Sequence, residues 1–143
     1  MVIDSNVWIS ALVFGGSPRR VLEQTLRDGD SIALSAEIVT EVRRTLISKF
    51  PGFLEDFDSL LAAMAPVLLP VRLGDLTVRI CRDPDDDRVL ETAILGAASY
   101  LITGDRDLRV LDGHRGIRIV TPAEWLEAPT GGEVRRQPPP SSS

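Results

Sequence analysis

The sequence predicts an α/β fold, a three-layer α/β/α sandwich around a central, mainly parallel sheet. Short apolar segments of strand length recur along the chain, and segments with helical periodicity separate them. Parallel strands need crossover connections, which are usually helices that cover both faces of the sheet. A chain of 143 residues, of which 43% are hydrophobic, can bury a sizeable core in one domain.

The N-terminal part of the chain begins with a predicted strand and two helices. Residues 2–3 are an apolar strand, and residues 7–13 are apolar enough for a packed helix. Ser17 and Pro18 have the chemistry of a helix cap and first turn, so they predict the start of the second helix. Gly29 ends that helix.

A second strand and a third helix follow. The strand is predicted at residues 31–34, and Ser35 can cap the helix after it. An apolar stripe at helical spacing predicts which face of this helix meets the core: Ile38, Val42 and Leu46. Glu41 lies off the stripe, toward the edge of a cleft.

Helices and strands continue to alternate through the rest of the chain. Pro51 and Gly52 interrupt it, and the next predicted elements are a helix at residues 53–64 and a strand at residues 67–73. The remaining predictions are a helix beginning at Asp83-Pro84, strands at residues 100–102 and 117–120, and a last helix with the capping box Thr121-Pro122-Ala123-Glu124.

The domain is predicted to span residues 1–127. From Ala128 the apolar pattern stops, and proline, glycine and serine dominate residues 128–143, which we expect to be a flexible tail. A single cysteine, Cys81, excludes an intramolecular disulfide, and no secretory leader precedes the first strand, so a cytoplasmic location is expected. Apolar stretches are shorter than the ~20 residues that cross a bilayer, so no membrane segment is expected.

Acidic residues follow two of the predicted strands. Asp4 comes directly after residues 2–3, and Asp105 comes shortly after residues 100–102. Ligands of parallel sheets bind beyond the carboxyl ends of the strands, so these two carboxylates are expected to lie together. Glu41 and the acids of residues 83–87 could join them. Converging carboxylates repel one another, and Mg²⁺ or Mn²⁺ relieves that repulsion with oxygen ligands.

Each acidic position also has a purely structural interpretation. Asp4 could cap a helix. Ser5 and Asn6 could each cap the helix or hydrogen-bond a ligand carboxylate, and capping is the more ordinary role for Ser5. Glu41 could be a solvated helix residue, with Glu37 an equal candidate by helical phase. Acids of residues 83–87 complement a helix N-terminus, but four carboxylates in five residues exceed that need.

The acidic motifs, in this order and spacing, resemble those of PIN-domain ribonucleases. The resemblance covers residues 1–126 and is strongest to the bacterial branch of VapC-like toxin components of type II toxin-antitoxin systems. Its motifs are Val2-Ile3-Asp4-Ser5-Asn6-Val7, the helical segment 35–41, Asp83-Pro84-Asp85-Asp86-Asp87, and Tyr100-Leu101-Ile102-Thr103-Gly104-Asp105.

The resemblance implies a PIN-like fold and a Mg²⁺- or Mn²⁺-dependent endoribonuclease. The implied catalytic and metal-binding residues are Asp4, Glu41, Asp86 and Asp105. Asp87 is the alternate for Asp86, and Asp107 is the alternate for Asp105. Many relatives have asparagine where this chain has Asp105. Asn6 and Thr103 match supporting positions.

The resemblance further implies an RNA substrate, a cognate antitoxin and a homodimer. One alternative is a module that mainly binds an antitoxin or other protein through its acidic cleft. Another is a magnesium-dependent phosphotransfer domain, but the Asp-x-Asp nucleophile motif is missing because position 6 is Asn6. The net charge of −5 disfavours general attraction of nucleic acid, so RNA would bind through metal ions and a local basic rim.

Overall fold

The computed structural model describes residues 1–74 and 79–128. It contains a five-stranded sheet in the order β3-β2-β1-β4-β5, and every pairing is parallel. The strands are β1 (Val2–Ile3), β2 (Ile32–Ser35), β3 (Leu68–Val71), β4 (Tyr100–Ile102) and β5 (Arg118–Val120). The α/β prediction is confirmed, and the sheet is entirely parallel.

Helices flank the sheet and connect its strands. They are α1 (Ser5–Val13), α2 (Gly16–Asp28), α3 (Ala36–Lys49), α4 (Leu54–Met64), α5 (Pro84–Leu95), α6 (Arg106–Arg109) and α7 (Pro122–Glu127). Short 3₁₀ turns occur at Pro51–Phe53, Ala65–Val67 and His114–Gly116. In the described part of the chain, no helix has both the length and the apolar character needed to cross a bilayer.

The core lies between the central strands and the helices. Val2 and Ile3 of β1 are fully buried, and the apolar stripe of α3 faces the same interior, as predicted. Trp8 and Trp125 are also buried, and the Trp8 ring meets Phe57 edge-on with 6.4 Å between centroids. Both tryptophans therefore pack in the core.

Local capping chemistry explains several helix starts. Ser35 accepts a hydrogen bond from the Ile38 amide, and Asp83 accepts one of 2.9 Å from the Asp85 amide. At α7, the Thr121 side chain bonds the Glu124 amide and the Glu124 side chain bonds the Thr121 amide, which confirms the capping box.

Some predicted boundaries were wrong. Helix α2 begins at Gly16 rather than after Ser17, because Gly15, with φ of 76°, turns the chain at the cap position. Strand β3 is shorter than residues 67–73, because Val67 belongs to a 3₁₀ turn and the strand ends at Val71. Helix α6 was not predicted. The predicted tail, apart from Ala128, lies outside the described residues.

Candidate metal centre

The centre of the acidic site is Asp4, which follows β1 and stands at the cap position of α1. Its side chain makes no capping hydrogen bond. Instead, Asp4 Oδ2 accepts a 2.7 Å hydrogen bond from the Thr103 hydroxyl, and the residue is only 3% exposed. The Asp4 side chain therefore does not cap helix α1.

Thr103 joins the ends of the two central strands. It is fully buried after β4, and its hydroxyl oxygen also accepts a 2.9 Å hydrogen bond from the Asp105 amide. The Asp4 amide donates to the Ile102 carbonyl oxygen at 2.9 Å, which continues the pairing of β1 with β4. Parallel pairing thus brings Asp4 and Asp105 to one edge of the sheet, as expected.

Glu41 reaches the site from α3. Its Oε1 accepts a hydrogen bond from the hydroxyl of Ser5, which is buried at the first position of α1. Capping, the favoured role for Ser5, was wrong, because Asp4 occupies the cap position; the alternative role, a hydrogen bond to a candidate ligand carboxylate, is the one observed. Glu37, the alternative by helical phase, is exposed on the same helix.

Three further carboxylates converge beside Asp4. One oxygen from each of Asp86, Asp105 and Asp107 lies within 4.8 Å of the other two. Asp105 caps α6 by accepting a 2.8 Å hydrogen bond from the Asp107 amide, which explains why the two acids stay close. Asp107 also forms an ion pair of 2.8 Å with the exposed guanidinium of Arg82.

Asp86 and Asp87 have different surroundings although they are neighbours in α5. Asp87 Oδ1 accepts hydrogen bonds from the amides of Ile80 and Cys81, at 3.2 and 2.9 Å. Burial raises the pKa of Asp87, but the hydrogen bonds from Cys81 and Ile80 outweigh it and leave the pKa lowered. Asp87 therefore tethers the preceding segment, and Asp86 is the residue that meets Asp105.

Burial and mutual repulsion favour protons on the clustered carboxyl groups. Burial raises the pKa of Asp4, and the charges of Asp105 and Asp83 add to the rise. Burial, together with repulsion from Asp105 and Asp4, raises the pKa of Asp86 to about 8. The pKa of Glu41 rises to about 7, mainly by burial and further through Asp85 and Asp4, against the lowering effect of the Ser5 hydrogen bond.

These features fit a divalent cation. Asp86 is only 6% exposed, and its Oδ2 has no hydrogen-bond partner among the described residues. A buried carboxylate oxygen without a partner is costly, and a cation would satisfy it. All the candidate ligands are carboxylates, the donors that Mg²⁺ and Mn²⁺ prefer.

Sequence reasoning missed two contributors to this electrostatic environment. Asp85 lies close enough to Glu41 to raise its pKa, and it is also 4.0 Å from the Arg44 guanidinium. Arg82 neutralises Asp107. The excess of acids in residues 83–87 was a signal for Asp85, whereas no local pattern distinguishes Arg82 from a solvated arginine.

Of the residues that the structure describes, Asn6 and most of the basic residues do not contact the acids of the candidate site. Asn6 is exposed, and within residues 1–74 and 79–128 its side chain forms no hydrogen bond, so it does not hold Asp4. Several arginines pair with nearby acids, as in the pairs Arg43–Asp58 and Arg109–Glu124. These arginines therefore balance charge on the protein surface.

Comparison with known proteins places the chain in a family. The model of a PIN domain family matches residues 1–107. Among solved structures, a chain in the crystal structure of VapBC2 from Rickettsia felis, bound to a DNA fragment from their promoter, has the same fold: the TM-score is 0.57 at 15% identity, over 82% of this chain and 95% of that one. No curated protein sequence matches significantly. By the family match and the shared fold, the chain belongs to the PIN domain family.

Proposed function

We propose that the protein is a Mg²⁺- or Mn²⁺-dependent endoribonuclease and the toxin component of a type II toxin-antitoxin pair. The observation that supports this most strongly is the meeting of Asp86, Asp105 and Asp107 within 4.8 Å, beside the buried Asp4. Such a cluster serves no obvious purpose in stabilising the fold, since like charges in a shared low-dielectric site oppose folding. Membership of the PIN domain family is consistent with the proposal.

The proposed metal ligands are Asp4, Glu41, Asp86 and Asp105, with Asp107 as the alternate for Asp105. When bound, a divalent cation lowers the pKa of water and neutralises charge on a phosphodiester. Asp86 and Glu41 would give up their protons as the site takes up cations, because a bound cation would offset the burial and repulsion that raise their pKa values to about 8 and about 7.

Hydroxyl groups of the chain orient these ligands. Thr103 holds one oxygen of Asp4, and Ser5 holds one oxygen of Glu41. Each hydroxyl donates to one oxygen, so it restrains the orientation of the carboxylate without adding charge to the site. The carboxylates position the cations and do not attack the substrate themselves.

The test is cleavage of an RNA panel with Mn²⁺ by the wild type and by Asp4→Asn and Glu41→Gln. Both variants should lose cleavage and retain the fold. Glu37→Gln is the matched control, because Glu37 lies one turn from Glu41 on α3 and is exposed. Cleavage that survives both chelation and Asp4→Asn would refute the proposal, and so would equal activity of Glu41→Gln and Glu37→Gln.

An antitoxin partner is the second part of the proposal. The shared fold with a chain of VapBC2 supports it, and so does Arg82, whose guanidinium shows that the acids can accept an arginine. We propose that an arginine-bearing segment of the antitoxin occupies the acidic cleft. Co-purification of a small partner encoded by a neighbouring gene, with inhibition of cleavage, would support the pairing. An isolated gene whose product is harmless on overexpression would contradict it. The homodimer stays a prediction.

A further inference from the structure

A pocket of about 290 Å³ is lined in part by residues that neighbour the acidic site in the sequence. Asn6, Val7 and Ser10 line it from α1, Gly104 lines it from the turn after β4, and Pro122 and Ala123 line it from α7. We call it the side pocket. Its volume equals that of roughly ten water molecules in the liquid, which suits one nucleobase.

Two residues that line the side pocket are bonded directly to residues of the acidic site. Gly104 lies between Thr103 and Asp105, and Asn6 follows Ser5. Residues bonded directly to Ser5, Thr103 and Asp105 therefore line the side pocket, which lies against the chain segments that carry Asp4 and Asp105.

The chemistry of the lining suits an uncharged, flat, partly polar group. Val7, Pro122 and Ala123 provide apolar surface, and no residue that lines the side pocket carries a charge. A phosphate would find no cation there, and an acidic or basic peptide side chain would find no counterion. The occupant that these walls favour is thus neutral, although the neighbouring site is strongly acidic.

Asn6 supplies hydrogen-bonding capacity at the edge of the side pocket. Its amide is exposed and forms no hydrogen bond within the described part of the chain, so both a donor and an acceptor are open to a ligand. Amide side chains can pair with the edge of an unstacked base, and single-stranded RNA presents such edges. Asn6 does not hold Asp4, so contact with a base edge is the role that its exposed position suggests.

We propose that the side pocket binds the base of a nucleotide adjacent to the cleaved phosphodiester, with Asn6 contacting the base edge. The inference rests on the proposed ribonuclease function and adds a specificity subsite to it. Nucleic-acid binding through a neutral pocket also fits the overall charge of −5, which leaves little general attraction for the RNA backbone.

The experiment compares binding of oligonucleotides with and without bases. Fluorescence anisotropy with Ca²⁺, and a denaturing gel to check that the RNA stays intact, would measure the affinity for uridine and adenosine hexanucleotides and for a hexamer of abasic ribose phosphate. The wild type should bind at least one of the base-bearing hexamers about tenfold more tightly, the effect of one modest contact.

Two variants test the side pocket itself. Ala123→Phe should fill the pocket and remove the preference for base-bearing RNA, and Asn6→Ala should reduce that preference and alter the choice between uridine and adenosine. The matched control is Ala62→Phe, the same change at an exposed position of α4. Ala123 is also exposed, so its substitution should not prevent folding.

The outcomes separate this inference from the proposed function. A wild type without preference for bases, or an Ala123→Phe variant that keeps the preference, would overturn the side-pocket inference. Mn²⁺ binding, measured by calorimetry, should be the same in the wild type and Ala123→Phe. A wild type that binds no Mn²⁺ and cleaves no RNA would instead refute the ribonuclease proposal.

Discussion

The hydroxyl of Thr103 donates a 2.7 Å hydrogen bond to Oδ2 of Asp4, joining two buried residues that are 99 positions apart in the sequence. The contact exists because β1 and β4 are parallel neighbours and end at the same edge of the sheet. It holds the most buried carboxylate of the site in a fixed orientation, and the same hydroxyl oxygen accepts the Asp105 amide.

Replacing Thr103 with valine should destabilise both the fold and the site. Valine keeps the shape but leaves Asp4 Oδ2 and the Asp105 amide without their partner, so we expect a loss of about 1–3 kcal/mol in the free energy of unfolding. Urea denaturation measures it. Thr103→Ser keeps the hydroxyl and should lose less, and an equal loss in both variants would show that packing, not the hydrogen bond, is responsible.

Asp86→Ala and Asp87→Ala should affect different properties, metal affinity and stability, because the two side chains have different surroundings. Asp87→Ala removes the acceptor of the Ile80 and Cys81 amides, so stability should fall by about 1–3 kcal/mol with Mn²⁺ affinity retained. Asp86→Ala should weaken Mn²⁺ binding about tenfold or more without lowering stability. Denaturation and calorimetry on both variants provide the comparison, and the reverse pattern would assign the metal to Asp87.

The sequence predicts a structural element well where neighbouring residues determine that element. Strand β4 was predicted at the residues that form it, since an apolar segment bounded by turn residues is a local signal, and the Thr121 capping box is equally local. Helix α6 is only four residues long and has no periodicity to detect. The sequence could not decide whether Asp86 or Asp87 belongs to the acidic site, because the answer depends on where the backbone of residues 80–81 lies.

The hydrogen bond between Ser5 and Glu41 shows that local sequence also fails to reveal distant partners within the site. Glu41, the partner of Ser5, is 36 positions away on another helix, so the local sequence favoured helix capping over a hydrogen bond to a ligand carboxylate. The convergence of Asp4 and Asp105 was foreseeable from the general rule about strand ends, whereas the pairing of Arg82 with Asp107 required the tertiary structure.

Without divalent cations, stability should fall as the pH rises from about 4 to 8. The folded-state pKa of Asp86 is about 8 against an ordinary value of 3.8, and that of Glu41 is about 7 against 4.5. Over this range the folded chain keeps protons that the unfolded chain has released, and the state that binds more protons is favoured at low pH. Melting temperatures measured in EDTA at several pH values would show the fall.

Adding Mg²⁺ or Mn²⁺ should remove most of this fall, because the cation binds the deprotonated carboxylates of the folded state. Asp86→Asn should also flatten the profile in EDTA, since asparagine does not titrate. A melting temperature that rises steadily between pH 4 and 8 in EDTA would contradict the raised pKa values and, with them, the crowded acidic site.

Replacing Arg82 with alanine should strengthen Mn²⁺ binding by a few-fold. Its guanidinium pairs with Asp107, but its side chain is 88% exposed, and exposed pairs contribute only about 0–1 kcal/mol. Stability should therefore hardly change. Arg106→Ala is the control, because Arg106 is exposed and forms no ion pair within residues 1–74 and 79–128. Weaker Mn²⁺ binding in Arg82→Ala would indicate that Arg82 supports the site.

The most direct test of the shared acidic site is calorimetric titration of Mn²⁺ into the wild type and Asp4→Asn at pH 7, in two buffers with different ionisation enthalpies. The wild type should bind Mn²⁺ and release protons, because Asp86 and Glu41 hold protons near this pH. Asp4→Asn should bind at least about tenfold more weakly. Equal affinity in the two proteins, or binding without proton release, would contradict the account.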